Sequence, residues 1–262
     1  MAISVGFIGG GRIARVILKG WMRAAYWPER VVVSDTDPKA LEALRAACPQ
    51  ALAVPGDNLS PAKQDVVFLA LHPPALKSVL GGLRGRLSPA SVFVSLAPKL
   101  TIEEISEALG GFSKIARLIP NAPSIVGAGF NPVCFAPSLS PTDRAVLTDL
   151  LAPLGASPEV AEHDLEAYAL LTGMAPTCLW FQLYEMLALS KEFGLEPRAA
   201  ARALDAMVKG TVRTMMESDL SPAEVMDLVP VRPLSEEEEA WKAAYRARLR
   251  AINDRIRPAV RV

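Results

Sequence analysis

The residues most able to do chemistry form one short segment near the start of the chain: Gly9, Gly11, Arg12, Ile13 and Ala14. An apolar run that predicts a strand comes directly before this segment, and a helical pattern begins within it. Gly9 permits a tight turn, Gly11 lets the backbone approach a phosphate, and the small Ala14 lets the helix pack on the strand. Free amides at a helix start hold anions. The segment therefore predicts a turn that binds the pyrophosphate of a dinucleotide.

A carboxylate ends the second predicted strand, and it bears on which dinucleotide is bound. Asp35 can accept hydrogen bonds from the ribose hydroxyls, which favours NAD. A 2′-phosphate would require an arginine instead, and Thr36 occupies that position. Arg12 could still pair with a 2′-phosphate, and Asp35 could simply be a loop acid that leads into a helix. The sequence predicts NAD or NADP as cofactor, with NAD preferred.

Three further polar residues stand where a parallel sheet would place a ligand. His72 follows the predicted strand at residues 66–71, and a loop histidine bonded to backbone is the alternative. Asn121 follows the next-but-one predicted strand and could contact cofactor or substrate, or cap a turn. Thr172 could hydrogen-bond a substrate or cap a helix end. No cluster of residues predicts a metal site.

The elements that must position these residues alternate between strands and helices. Short apolar runs predict strands at residues 4–8, 31–34, 66–71, 92–96 and 114–119. Helical patterns lie between them at residues 12–25, 38–48, 74–83 and 101–109. A strand near 129–135, a helix near 141–151 and a short strand at 157–160 complete this part. Because most strands are apolar throughout, the pattern predicts an α/β fold with a doubly wound parallel sheet, a Rossmann domain.

After residue 162 the strand signals stop and helical signals continue. Helices are predicted at residues 164–171, 176–193, 197–216, 222–228 and 235–256. Several begin with proline, which is favoured at the first helical position. The chain is therefore expected to divide into a Rossmann domain, residues 1–162, and an all-helical domain, residues 163–262.

Composition restricts the partners and the compartment. The chain has 28 Lys plus Arg and 28 Asp plus Glu, so no basic surplus favours nucleic acid or an anionic membrane. The longest apolar stretch, near residues 179–189, is too short and too polar to span a bilayer. Cys48, Cys134 and Cys178 lie far apart, and Met1 leads into a strand with no signal-peptide pattern. We expect a cytoplasmic protein with a small-molecule substrate, no nucleic-acid partner and no membrane partner.

Four segments together resemble the pyrroline-5-carboxylate reductases. Residues 6–14 read GFIGGGRIA, where that family typically reads GFIGAGNMA. Residues 65–74 read DVVFLALHPP against DVVILAVKPQ, and residues 117–123 read RLIPNAP against RVMPNTP. Residues 171–177 read LTGMAPT against LSGSGPA. The order and spacing of these segments agree over nearly the whole chain.

The resemblance implies a reaction and a set of contacts. The family transfers hydride from NAD(P)H to the C=N carbon of a cyclic imino acid and forms proline. Its helical domain dimerises with a second copy, so a homodimer through this domain is expected. Residues implied to line the cofactor or the substrate are Ala70, Leu71, Pro73, Pro120, Asn121 and Ala122. A protonated imine already accepts hydride, so placement would carry most of the catalysis.

The substrate-binding motifs depart from the family pattern. Residues 172–176 read TGMAP instead of SGSGP, and residues 229–234 read VPVRPL in place of a glycine- and threonine-rich loop. His72 replaces a lysine, and residues 97–99 read APK instead of AAG. Arg232 is a candidate for a charge-assisted grip on a different carboxylate. Two hypotheses follow: a reductase of a cyclic imino acid or related imine, or a cofactor-binding regulatory or interaction protein that forms no proline.

Neighbouring families fit the sequence less well. β-Hydroxyacid dehydrogenases and ketopantoate reductase share the architecture but use a lysine on the first helix after the hinge. Residues 176–185 contain no lysine, so that acid-base group is missing. F420-dependent NADP reductases share the N-terminal fold but generally lack a helical domain of this length.

Overall fold

The computed structural model describes residues 3–71 and 73–257. The chain divides into two compact units: Met1–Met174 with Ile252–Val262, and Ala175–Ala251. The sequence placed the boundary after residue 162 instead. Residues 163–174 therefore belong to the first unit and not to the helical one. They stay with the first unit because Leu165 and Ala169 are buried in one cluster with Ile119.

Within the described residues, the strands are β1 (Ser4–Ile8), β2 (Arg30–Asp35), β3 (Leu52–Pro55), β4 (Val66–Leu69), β5 (Val92–Ser95), β6 (Ile115–Leu118), β7 (Gly129–Phe130), β8 (Val133–Phe135) and β9 (Gly155–Ala156). Seven of these described strands form one sheet in the order β3-β2-β1-β4-β5-β6-β8. The first six strands of this order are parallel to their neighbours, and Val5 lies opposite both Val31 and Val66. The doubly wound α/β sheet is thus confirmed.

The last strand breaks the expected parallel arrangement. β8 runs antiparallel to β6, with Cys134 opposite Arg117. The connection between them, residues 119–132, holds a short 3₁₀ helix, Ala122–Val126, and the two-residue strand β7, and it lacks the α-helix that usually crosses between parallel strands. The predicted strand at 129–135 is also two strands, because β7 pairs with β9 in a separate small sheet.

The helices of the first unit are α1 (Arg12–Arg23), α2 (Pro38–Ala47), α3 (Leu59–Ala62), α4 (Pro73–Leu83), α5 (Ile102–Ala108), α6 (Pro141–Leu151) and α7 (Leu165–Tyr168). A π-helix, Ala169–Met174, follows α7 directly. Local sequence fixes several helix starts. Thr101 and Glu104 form a capping box on α5, and Ser140 with Asp143 does the same on α6.

Three elements differ from the sequence prediction. β3 and α3 were not predicted, and Leu52 in β3 is half exposed at the edge of the sheet. An edge strand without a fully apolar run gives little signal. The strand expected at 157–160 is the two-residue strand β9 instead, and Glu159 makes only an isolated bridge to Val133.

The core of the first unit lies on both faces of the sheet. Along β4, Val66 and Phe68 point into one apolar cluster, whereas Val67 and Leu69 point into the other. Trp21 of α1 is fully buried, and its indole N–H donates to the carbonyl of Leu150 at 2.7 Å. Burial on both faces explains why the strands read as continuous apolar runs.

The second unit is helical in its described residues, which include α8 (Pro176–Glu192), α9 (Pro197–Glu217), α10 (Pro222–Asp227) and the larger part of α11 (Glu238–Ile256). Several large apolar side chains of this unit are exposed in the single chain: Leu179, Phe181, Tyr184, Phe193, Met215, Met216 and Val231. None of the described helices is long and apolar enough to cross a membrane.

Candidate cofactor site

The glycine turn is a tight junction between β1 and α1. Gly9 has a φ of +105°, in a region that L side chains rarely adopt. A Cβ on Gly9 would stand 2.4 Å from the carbonyl oxygen of Ala70. The Gly9 amide donates to the carbonyl of Ser34 at 2.8 Å. The end of β1 therefore approaches its neighbours too closely for any residue but glycine.

The start of α1 is open on the side where Gly11 stands. A Cβ added at Gly11 would meet nothing within 4 Å. Gly11 is the N-cap residue, so the amides that follow, at Arg12 and Ile13, belong to the unsatisfied first turn of the helix. Ala14 is fully buried, where the small side chain lets α1 pack on the sheet. These groups are suited to hold an anion.

A cavity of about 560 Å³ lies at the carboxyl ends of the central strands, where doubly wound sheets bind ligands. Seven of the predicted cofactor residues line it: Gly11, Arg12, Ile13, Asp35, Ala70, Leu71 and Pro120. The remaining wall consists of residues that were not among the predicted cofactor contacts: Ala75, Leu96, Ala97, Pro98, Ile119, Ala169, Gly173 and Met174. Part of this wall could have been predicted from the sheet topology. Leu96 and Ile119 directly follow β5 and β6, at the carboxyl ends of the strands where such sheets bind ligands.

Other predicted cofactor residues stand outside the lining of this cavity. Gly9 and Ala14 shape the turn from beneath, as described above. Thr36 is exposed one residue beyond Asp35, and Ala122 begins the 3₁₀ helix after Asn121. Pro73 is the first residue of α4, and its side chain lies outside the described part of the chain, as does all of His72.

Asp35 anchors the glycine turn as well as lining the cavity. Its Oδ2 accepts the Gly10 amide at 2.8 Å, and its Oδ1 accepts the Asp37 amide at 2.9 Å. Charge-assisted bonds of this kind are stronger than neutral ones. Asp35 therefore holds the loop that precedes α2, and it also lines the cavity. Its contact with a ribose stays a prediction.

Asn121 and Thr172 lie together, and hydrogen bonds to the chain occupy both side chains. Asn121 is buried and donates from Nδ2 to the carbonyl of Thr172 at 3.1 Å. Its Oδ1 accepts the Phe130 amide at 3.2 Å. The Thr172 hydroxyl donates to the carbonyl of Tyr168 at 2.9 Å. Asn121 thus holds the π-helix to the end of β6. Asn121 and Thr172 are not among the residues that line the cavity.

A buried ion cluster beside the cavity was missed in the sequence. Arg117 of β6 contacts the carboxylate of Glu166, and these two side chains are 1% and 2% exposed. Glu162 contacts the same guanidinium at 3.1 Å. Glu166 also accepts the amide of Lys99 at 3.1 Å. The one available signal was a lone arginine within an apolar strand, because such a charge needs a buried partner.

Arg232 lies in the second unit and is already paired. Its guanidinium contacts the carboxylate of Glu238. Hydrogen bonding from Lys242, and then the charge of Arg232, lower the pKa of Glu238. Arg232 lines a cavity of about 830 Å³ whose other walls are largely apolar, among them Met215, Val231 and Trp241. A carboxylate ligand would have to compete with Glu238 for this arginine.

The three cysteines of the chain are free thiols. Burial raises the pKa of both Cys48 and Cys134, so these thiols are protonated near neutral pH. Within residues 3–71 and 73–257, no group of three or more His, Cys, Asp or Glu side chains is placed to hold a metal ion. Cys48 packs as a small apolar side chain in the core.

Sequence comparisons agree with the motifs. A family model described as NADP oxidoreductase, coenzyme F420-dependent, matches residues 4–99. The pyrroline-5-carboxylate reductase of Corynebacterium melassecola is 29% identical over 227 residues, which cover 85% of this chain and 83% of the relative. The Escherichia coli K12 protein of that name is 27% identical over 237 residues, with coverages of 87% and 85%.

Solved structures agree over almost the full length of the chain. The Plasmodium falciparum pyrroline carboxylate reductase, solved with NADP bound, matches with a TM-score of 0.79 at 20% identity and supports the fold. The match covers 97% of this chain and 96% of the Plasmodium falciparum chain. The Coxiella burnetii pyrroline-5-carboxylate reductase matches at 26% identity with a TM-score of 0.68, covering 98% of this chain and 95% of its own. The chain is thus similar in sequence to pyrroline-5-carboxylate reductases over most of its length.

Proposed function

We propose that the protein is an NAD(P)H-dependent oxidoreductase that reduces the C=N bond of pyrroline-5-carboxylate, or of a related cyclic imine. The cavity that the glycine turn and the π-helix both line carries the proposal, because it offers cofactor-holding amides and an apolar wall within one space. The curated relatives named above are reductases, which favours an enzyme over a regulatory protein.

The residues present fit a dinucleotide. The open space at Gly11 leaves room for a phosphate beside the first amides of α1. Arg12 is exposed and lines the cavity, so its positive charge is available next to that phosphate. We expect the amides of Gly11, Arg12 and Ile13 to hold the pyrophosphate, and Ala70, Leu71 and Pro120 to border the rest of the cofactor.

The reaction needs orientation more than proton transfer from the protein. When bound, the reduced dinucleotide supplies a hydride to the imine carbon, and the C=N electron pair moves to the nitrogen, which already carries its proton. Leu71, Ile119 and Met174 form an apolar wall that excludes water. Asn121 keeps the π-helix in place through the Thr172 carbonyl, so it acts on the position of that wall.

Turnover tests the proposal directly. Purified protein is mixed with pyrroline-5-carboxylate and either NADH or NADPH, and absorbance at the nicotinamide band is followed. We expect oxidation of the cofactor that depends on the imine, with proline as the product. Tight binding of both cofactors by calorimetry without oxidation of either would reject the reductase and favour the regulatory alternative.

We also propose NADH as the preferred cofactor. The carboxylate of Asp35 lines the cavity and would repel a 2′-phosphate, while Thr36 offers no positive charge. Arg12 is the cation that could oppose this preference. Dissociation constants for NADH and NADPH, measured by titration of the same preparation, decide the matter: a lower constant for NADPH contradicts the proposal.

A homodimer through the second unit is the proposed assembly. Its exposed apolar side chains, which include Phe181, Tyr184 and Met216, exceed what a soluble monomer usually shows in one region. The chain carries no net charge, so a second copy is not repelled. Sedimentation equilibrium should give twice the mass of one chain. A single-chain mass at micromolar concentration contradicts the assembly.

A further inference from the structure

One carboxylate oxygen joins three segments of the first unit. Oε1 of Glu166, in α7, accepts the backbone amide of Lys99 at 3.1 Å. The same oxygen contacts a terminal guanidinium nitrogen of Arg117, in β6. Both ionic side chains are almost completely buried. Glu166 is therefore held in place on two sides.

Each of these segments continues into the wall of the proposed cofactor cavity. Ala97 and Pro98, which line the cavity, directly precede Lys99. Ala169 and Met174, which also line it, belong to the π-helix that follows α7. Ile119 stands at the end of β6, just beyond Arg117. A movement of Glu166 would thus displace the walls from three sides.

The rest of the cluster makes this arrangement rigid. Glu162 contacts Arg117 from the other side at 3.1 Å and accepts the Ile102 amide at 2.6 Å. Removing one partner of a buried ion pair leaves an uncompensated charge, whereas replacing both by apolar residues is often tolerated. The cluster consequently defines the relative position of the loop after β5 and the helix that carries Glu166.

We propose that Glu166 is a positioning residue of the cofactor cavity, which it acts on through Lys99 and Arg117 without lining it. This inference rests on the proposed cofactor-binding function. Loss of the carboxylate should weaken NADH binding. A core substitution away from the cavity that lowers the stability by the same amount should weaken NADH binding less. A misplacement of about 1 Å, caused far from the reacting atoms, can cost about 10²-fold in rate, so a displaced wall should change the behaviour of the cofactor measurably.

The test compares the full chain with three variants. Glu166→Gln keeps an oxygen that can accept the Lys99 amide. It removes the negative charge that faces Arg117 and leaves a neutral amide group in its place. Arg117→Met with Glu166→Leu and Glu162→Gln removes all three charges of the cluster and keeps a buried apolar pair, which guards against failure to fold. Leu147→Ala is the control, since Leu147 is fully buried in the core and does not line the cavity. The dissociation constant of NADH is measured by fluorescence titration at the same interval below each melting temperature.

We expect the two Glu166 variants to raise the dissociation constant about tenfold and to raise KM for NADH more than they lower kcat. Leu147→Ala should lower the melting temperature and leave the dissociation constant within about twofold of wild type. Equal affinities in wild type and the Glu166 variants overturn the positioning role, as does an equal weakening in the control. A wild-type chain that binds neither dinucleotide overturns the proposed function itself and the positioning role with it.

Discussion

The carboxylate of Asp35 accepts a hydrogen bond from the backbone amide of Gly10 at 2.8 Å. The end of β2 therefore holds the turn between β1 and α1. An acid at this position is usually discussed for its contact with the ribose. Here it also organises the turn after β1. Under the proposed function, one side chain would therefore act on both cofactor choice and turn geometry.

Two substitutions separate these roles of Asp35. Asp35→Asn keeps an oxygen for the Gly10 amide and removes the charge, so NADPH binding should improve relative to NADH by about tenfold. Asp35→Ala removes both, and NADH binding should weaken by about tenfold or more because a charge-assisted hydrogen bond is lost. Titration calorimetry measures the dissociation constants of NADH and NADPH for wild type and both variants. An unchanged NADPH-to-NADH ratio in Asp35→Asn would show that the charge plays no part in cofactor choice.

Gly9→Ala tests the tight approach of β1 to β4. The added Cβ would stand 2.4 Å from the Ala70 carbonyl oxygen, in a backbone conformation that is itself unfavourable for alanine. The free energy of unfolding should fall by about 2–4 kcal/mol, and the remaining folded protein should bind NADH poorly. Gly11→Ala is the matched control, since its Cβ has open space and its effect on stability should be small. Denaturation in urea checks both values, and equal losses would contradict the geometry.

Lys99→Gly is expected to stabilise the protein. Lys99 has a φ of +85°, which is strained for any side chain. Glycine relieves about 1–3 kcal/mol of backbone strain in the folded state. This gain outweighs the roughly 0.5–1 kcal/mol of stability that is lost because glycine makes the unfolded chain more flexible. The net gain should be about 1 kcal/mol in urea unfolding. Lys99→Ala, which removes the charge but keeps the strain, should gain nothing, and an equal gain in both variants would assign the effect to the charge.

Asp143 gives the stability a defined dependence on pH. Burial tends to raise the pKa of Asp143, but hydrogen bonds from Ser140 and Lys114 outweigh it and lower the pKa. A lowered pKa in the folded state stabilises the fold above the unfolded value of about 3.9, and this contribution disappears as pH falls through the folded pKa. Asp143→Asn should therefore be less stable than wild type at pH 7, and the gap should narrow below about pH 4. A gap that stays constant with pH would contradict the assigned hydrogen bonds.

Local signals explain what the sequence could predict. The turn at Gly9 and Gly11 was predicted because glycine geometry is a property of a few adjacent residues. The helix Pro141–Leu151 was predicted with the observed bounds, because Ser140 and the proline mark its start. The edge strand β3 was missed because it lacks a continuous buried run.

Tertiary pairing explains what the sequence could not predict. Arg117 and Glu166 stand 49 residues apart, and only the fold brings them together. Asn121 was predicted either to contact cofactor or substrate or to cap a turn, and the fold shows that its amide bonds to the Thr172 carbonyl and the Phe130 amide. The ligand contact stays a prediction. A residue type and a strand end do not reveal whether a side chain points to ligand or to chain.

Transfer of an isotopic label tests the central claim most directly. Wild-type protein is incubated with pyrroline-5-carboxylate and NADH that carries deuterium on one face of the nicotinamide, with each face labelled in turn. We predict that one of the two labelled cofactors gives proline with a single deuterium on the former imine carbon, seen by mass spectrometry, and that the other gives unlabelled proline. Proline that is unlabelled in both incubations, or no proline at all, would contradict direct hydride transfer by this protein.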